Sequence, residues 1–529
     1  MHKLIGALVF ALLIPSQAGA ATAAEPNVLR WSAGGEISTM DPHGVFSTAN
    51  ASLLGNIYES LVRQGSDLRL ESALAVSWRM EEPTRWRFTL RHGVHFHDGA
   101  PMTAADVVAS IKRAASPGSP YLSATHMIRD AVVVDDDTVD VLLYGPDPIL
   151  LNELAGVAIL SLPWMQAHNA MLPDDPTKGR ESYTTLHANG TGPFRLVSRQ
   201  PDVETVLERF PGWWDQPKHN IDRVILRPIP IDATRVAALL SGELDLISPA
   251  PLQDIERIRH TRGLKLIRGQ DLRVMFVGLN VAAGHRVKAG PDAMNPLSDV
   301  RVRRALYAAT DTRTITRRIM DDLTNPITTM IAPEVQGYDP SLATSAPTYN
   351  LARAKALLAE AHLLQPFALT FDCPVDRFVN AEQVCQAIAA MWSHIGVKTT
   401  VISDRYPAFL KKINGGESDA WLMGWANTPQ IDASSIMNNM FHTRTARDGS
   451  WNAAQYSDPV LDSLVERTTT ELDPVQRQAL MSKALRIEAE AVPYFPLYRE
   501  PMVFGAVRDF DIPASPDGKM RLWLARFTR

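Results

Sequence analysis

Two cysteines in 529 residues exclude a disulfide-built scaffold and any cysteine-rich zinc or iron–sulfur centre. A basic excess is missing as well. The chain has 53 Lys and Arg against 58 Asp and Glu, a net charge of −5, so it lacks the footprint of a protein that coats nucleic acid. No stretch reaches 18 uninterrupted apolar residues, so no segment reads as a membrane-spanning helix. The sequence holds no HExxH, no Walker-type GK[ST] loop, no GxSxG elbow and no GxGxxG, which removes the simplest enzyme readings. Internal repeats and low-complexity tracts are also absent.

What is present is a large apolar fraction, 45%, with 21% charged residues, enough for a packed interior and unlike a disordered chain. At roughly 150 residues per structural unit the length predicts three or four units. The 37 prolines against 30 glycines predict stiff loops rather than flexible linkers. The start of the chain has the order of a secretory signal. Lys3 is followed by the apolar run Leu4 to Ile14, Pro15 breaks it, and Ala18-Gly19-Ala20 and Ala23-Ala24 offer cleavage after Ala20 or Ala24. About 11 apolar residues are too few to span ~30 Å of hydrocarbon as a helix. No cysteine lies near the cleavage site, so a soluble periplasmic protein without a lipid anchor is expected.

Strand-like and helical patterns alternate along the rest, the signature of an α/β architecture. Trp86 to Leu90 alternates as a strand, and Thr103 with Asp106 begins a helix bearing Val107, Ile111 and Ala114 on one face. Ile225 to Ile231 reads as a strand whose Pro228 and Pro230 place it at a sheet edge. Asp232 opens a helix that Gly242 stops, and Leu244 to Leu246 is the next strand. Ser298 or Asp299, Asn350, Asp458-Pro459 and Asp473-Pro474 mark further helix starts. Phe367 to Phe371, a helix on Val384, Ile388 and Trp392, and Val397 to Ile402 form a β–α–β run, which predicts a parallel unit.

Three groups carry chemistry. His95, His97 and Asp98 have strand spacing for a metal, or are the half-exposed end of a strand and turn, and no remote cluster completes a ligand set. Cys373 and Cys385 can bridge in an oxidising compartment or pack as small hydrophobes. Trp421, Trp425 and Trp451 lie in a segment rich in Gly, Asn and Ser. Gly424-Trp425-Ala426-Asn427 follows a strand, where a ring beside glycine either walls a small-ligand pocket or belongs to the core.

The order of short blocks resembles the family-5 extracellular solute-binding proteins, the peptide, nickel and opine receptors of ABC importers. The blocks are Ser38-Thr39-Met40-Asp41-Pro42, Tyr58-Glu59-Ser60-Leu61, Phe88 to Gly99 with Pro101 to Val107, and Asn189 to Phe194. Gly242 to Asp245, Asp299 to Ala305 and Tyr349 to Ala361 continue the series. The resemblance implies an α/β, two-lobed periplasmic-binding-protein architecture (type II-like) with an extra subdomain in lobe I. It implies a signal peptide over 1–24, lobe I over 25–275, lobe II over 276–499 and a C-terminal return to lobe I over 500–529. Crossover strands are expected near Val274–Asn280 and Leu497–Phe504. It further implies a monomer that is not an enzyme, needs no cofactor and no resident metal, and binds no nucleic acid. Such a monomer captures a peptide or peptide-like solute and delivers it to the permease of an ABC importer. A metal, metallophore, opine-like or sugar-phosphate-like solute is the alternative on the same scaffold.

Peptide-binding members that this chain resembles place an arginine in a P-x-x-R turn for the ligand carboxylate. Pro374-Val375-Asp376-Arg377 matches, and the ordinary alternative for Arg377 is a surface ion pair with Asp376 or Asp372. The family's acid after Gly-Trp is replaced here by neutral Thr428 and Gln430, leaving Asp432 as the first acid for a ligand amine, or a ligand without one. Gly424, Trp425 and Asn427 are expected on the lobe II side of the cleft, and Ser38, Thr39 and Met40 on the lobe I side.

Overall fold

The computed structural model describes residues 26–45, 47–117, 119–175, 182–285, 287, 295–344, 348–363 and 365–528. The expected signal segment lies outside the described residues. One ten-stranded sheet organises the chain. Its order is Val397–Asp404, Phe367–Pro374, Ala420–Trp425, Leu264–Leu279, Tyr494–Val507, Leu246–Ser248, Val28–Ala33, Arg223–Leu226, Glu204–Arg209 and Phe194–Gln200.

Two strands at the middle of that order join the halves. Leu264–Leu279 has 16 residues and Tyr494–Val507 has 14, and they pair antiparallel from Leu264↔Val507 to Gly278↔Tyr494. The run Val274 to Leu279 is apolar without alternation because both its faces are covered, whereas its first half is only partly buried. The ladder slips between Gln270 and Val274. There Arg499 donates to the carbonyls of Asp271 at 2.8 Å and Gln270 at 3.0 Å, replacing bonds the ladder loses.

Separate cores lie on either side of that slip. One is built from residues 272–498, with Leu68 reaching in, and centres on Phe276, Phe371, Trp392, Trp421 and Phe495. The other joins Trp31, Phe194, Leu246, Phe504 and Phe527, so the last residues of the chain return to the first half. A four-stranded antiparallel sheet, Ala75–Glu82, Arg85–Leu90, Thr138–Leu143 and Ile128–Asp135, carries its own core with the helix Ala104–Ala114. The architecture is thus mixed α/β and two-lobed, with an extra subdomain in the first lobe. Among the described residues no helix is long and apolar enough to cross a membrane.

Most local signals act as the sequence indicates. Thr103 and Asp106 form a capping box, and Asp299, Asn350, Asp458 and Asp473 each accept a backbone N–H of the helix they start. Phe367–Pro374 and Val397–Asp404 pair in parallel around the helix Ala381–Ser393. A disulfide joins Cys373 to Cys385. Two expectations are corrected. Arg223–Leu226 is an interior strand between Val28–Ala33 and Glu204–Arg209; Pro228 and Pro230 lie past its end, so they remove no ladder donor. The strand after Gly242 begins at Leu246, because Asp245 turns its carboxylate to the backbone N–H and guanidinium of Arg30.

The family-like blocks are framework. Asp41 meets Arg113 through two bonds of 2.8 and 2.6 Å with both side chains fully buried. At Gly190 a Cβ would stand 2.0 Å from the Ile57 carbonyl, so this loop packs backbone against backbone. His97 bonds the Gly192 carbonyl at 3.0 Å and accepts from Gly190 N at 3.3 Å, and burial pushes its imidazole down to about 4. It is a strut of the same loop.

Candidate functional site

A cavity of about 160 Å³ lies where the lobes face each other. Its first wall comes from three distant segments: Tyr58 to Gln64, Trp213, and Asp517 to Trp523. Its second wall is the loop after the strand Ala420–Trp425, through Thr428, Pro429 and Ile431. Beside it the two lobes touch directly, Asn152 Nδ2 donating to the Gln430 carbonyl at 2.6 Å. Leu54, Ala158, Pro429 and Ile431 make much of the lining apolar, so charges placed there act with little water between them.

Glu59 is the cavity's distinctive acid. It accepts from Trp213 Nε1 at 3.2 Å, Trp214 Nε1 at 2.9 Å and Thr191 Oγ1 at 2.9 Å. Burial pushes its carboxyl up to about 7, the three donors pulling the other way. Trp214 is itself held by Arg91, whose guanidinium lies 3.9 Å over its ring. The second wall acid, Asp517, is committed to Arg521 at 2.8 and 3.0 Å, and its cations hold it well below the usual carboxylate range. Lys519 stands 3.5 Å from Asp517, and burial lowers its ammonium. Glu59 and Asp517, with Arg63, Lys519 and Arg521 and indole walls, thus share one largely apolar space.

At the contact beside the cavity, Asp147 and Glu153 are both buried. Burial and the neighbouring Asp147 push Glu153 up to about 10, and Asp432 across the contact adds to the rise.

The expected site residues separate into two groups. Arg377 is exposed, with its guanidinium 5.4 Å from the Phe378 ring and 5.7 Å from that of Tyr406. Its supposed partners are engaged elsewhere: Asp372 with Lys412 at 3.1 Å and Asp376 with the Tyr406 N–H at 2.8 Å. Trp425 is half-buried and packs edge-on against Trp451 at 5.8 Å, and Ser38 is exposed. None of these three lines the cavity itself.

The other five are corrected. Asp432 is fully buried, with Arg477 on each of its oxygens at 2.7 Å, so burial keeps it out of a ligand amine's reach. Thr39 turns inward to Asp174 at 2.8 Å, and Met40 lies in the core of the first lobe. At Gly424 a Cβ would meet Met275 Sδ at 2.6 Å, so the glycine serves strand packing. Asn427 is fully buried at the root of the loop, its carbonyl accepting from Ile431 N at 2.6 Å.

A family model described as bacterial extracellular solute-binding proteins, family 5 Middle, matches residues 69–448. The chain belongs to this family. The glutathione-binding protein GsiB of Salmonella typhimurium is 25% identical over 515 residues, covering 95% of this chain and 94% of that one. The dipeptide-binding protein of Escherichia coli is 26% identical over 445 residues, 79% of each chain. The solved structure of HbpA2 from Haemophilus parasuis shares the fold, with a TM-score of 0.81 and 23% identity over 95% of this chain and 100% of that one.

In this family-5 protein the cavity residues that sequence reasoning missed are Arg63, Trp213, Lys519 and Trp523, while Glu59 was read only as part of a block. The signal was faint but present. Trp213-Trp214 is a tandem pair, and Lys519 to Trp523 sets two cations beside an indole in the returning C-terminal segment. No spacing in the sequence shows that these segments converge.

Proposed function

We propose that the protein captures a peptide or peptide-like solute between its lobes and delivers it to the membrane subunits of an ABC importer. The observation that carries this reading is that Glu59 and Lys519 line one cavity with apolar and indole walls, which complements a short molecule bearing both an amine and a carboxylate. With Asp432 committed to Arg477, Glu59 takes the place of the missing amine anchor. Lys519 meets the carboxylate, and Arg377, Trp425 and Ser38 act at the rim. The glutathione and dipeptide receptors among its relatives agree with that class.

The same reading assigns 25–275 with 500–529 to one moving body and 276–499 to the other, hinged where the two long strands slip. Solute bridges both bodies only when they are closed and so shifts the population toward that form. Binding is noncovalent and no reaction follows. The protein works as a monomer in the periplasm after removal of residues 1–24, without a lipid anchor. Calorimetric titration with glutathione and a set of di- and tripeptides tests the reading. Dissociation constants from micromolar to nanomolar are expected, about −8 to −12 kcal/mol. Glu59→Gln and Lys519→Met should each weaken binding at least about tenfold, with the peptide recovered unchanged. Absence of heat with every peptide, or variants that bind as the parent does, would overturn it.

A further inference from the structure

The second lobe holds another cavity, of about 350 Å³, whose wall residues fall within 304–342 and 485–496 and are not shared with the cleft. Glu488, on the helix Pro474–Ala491, belongs to that wall. It is 2% exposed, and its Oε1 has no hydrogen-bond partner among the described residues. A buried carboxyl left this way costs free energy that a packed apolar residue would not. Burial pushes its proton affinity well up, which favours the neutral form.

The surroundings favour one kind of guest. Tyr307, stacked on Phe495 at 4.7 Å, and Tyr494 supply ring surface to the wall. The cations in the wall are turned to other partners, Arg304 to the Glu490 carbonyl at 2.7 Å and Arg486 to Ser341 Oγ at 3.3 Å. Asp339 adds a carboxylate held ionised by its Ser341 bond. Tyr307, Tyr456 and Tyr494 sense the Glu488 charge. An anion would meet three acids, Asp339, Glu488 and Glu490, and an apolar guest would leave Oε1 unpaired. An ammonium supplies both the charge and the donors, and tyrosine faces attract it.

We propose that this cavity is a second binding site, for a small alkylammonium whose N–H groups meet Glu488 and whose carbon chain lies against Tyr307 and Tyr494. On binding, the Glu488 O–H proton passes to solvent and the carboxylate pairs with the ammonium. The site is independent of the cleft reading.

Titration of the intact protein with propylammonium chloride, in phosphate and in Tris at the same pH, tests it. The expected result is one saturable site whose heat differs between the buffers because a proton is released, and whose affinity rises with pH, as deprotonation of a carboxyl demands. Glu488→Gln should lower the affinity at least about tenfold and remove the buffer dependence. Glu488→Leu should bind nothing yet melt at a higher temperature, which shows that it folds. Lys519→Met should bind as the parent does. No saturable heat in the parent, equal heats in the two buffers, equal binding by Glu488→Gln, or loss of binding in Lys519→Met would each overturn the proposal.

Discussion

Asp432 is the first acid after Trp425 in the chain, and that order alone marks it for a ligand amine. In the folded protein Arg477 takes both its oxygens, and Ser434 N donates to Oδ1 at 2.8 Å. Burial decides between the two roles, and burial is the property that a residue's place in sequence shows least. Asp432→Ala would strand the Arg477 guanidinium, whose remaining bond goes to the Thr468 carbonyl at 2.9 Å. A loss of about 3–5 kcal/mol is expected in urea unfolding. Full stability with abolished peptide binding would return Asp432 to the cleft. Glu153 sets a pH dependence of definite sign. From its ordinary 4.5 it is pushed up to about 10, so the folded chain keeps a proton that the unfolded chain releases. Stability conferred by that proton declines as pH rises across this window. Thermal melts of the parent from pH 5 to 9 should show a downward slope that Glu153→Gln reduces; identical slopes would contradict the assignment. Arg377 had two open readings in the sequence, and the convergence of Glu59, Trp213 and Lys519 was not legible at all, since they lie far apart in the chain.

At the scale of elements, helix starts were the easiest to read, because a cap and its first turn are contiguous in sequence. Asp458-Pro459, Asp473-Pro474 and the Thr103–Asp106 box all sit where the pattern puts them. The parallel unit around Ala381–Ser393 was legible for the same reason: its strands and helix follow one another. The interior position of Arg223–Leu226 was not, because neighbours in a sheet are set by the whole chain and two prolines just past its end mimic an edge. The disulfide was one of two open readings. It ties the end of Phe367–Pro374 to the helix Ala381–Ser393 across a separation of 12 residues. Closing so short a loop limits the unfolded chain by roughly 3 kcal/mol on the chain-entropy account. Cys373→Ser with Cys385→Ser should lower stability by up to that amount, read by urea unfolding, and should leave peptide affinity within about twofold because the pair lies outside the cavity wall. A large affinity loss at unchanged stability would instead tie this unit to the solute.

For the molecule as a whole, the long strands Leu264–Leu279 and Tyr494–Val507 carry two cores built from interleaved parts of the chain in one sheet. The expected crossovers overlap these strands, Asn280 lying one residue past the end of the first, but their full length was hidden, since the half-buried first part of Leu264–Leu279 and its apolar second part have different patterns. The ladder slip at Gln270–Val274 interrupts regular pairing between the halves, and Asn152 meets Gln430 where they touch. Two-body motion around a bound peptide is therefore the central claim. Small-angle X-ray scattering of the purified protein, without solute and then saturated with the tightest-binding peptide from calorimetry, tests it most directly. Closure requires the radius of gyration to fall on saturation. An unchanged radius at full occupancy would contradict two hinged bodies closing on their cargo.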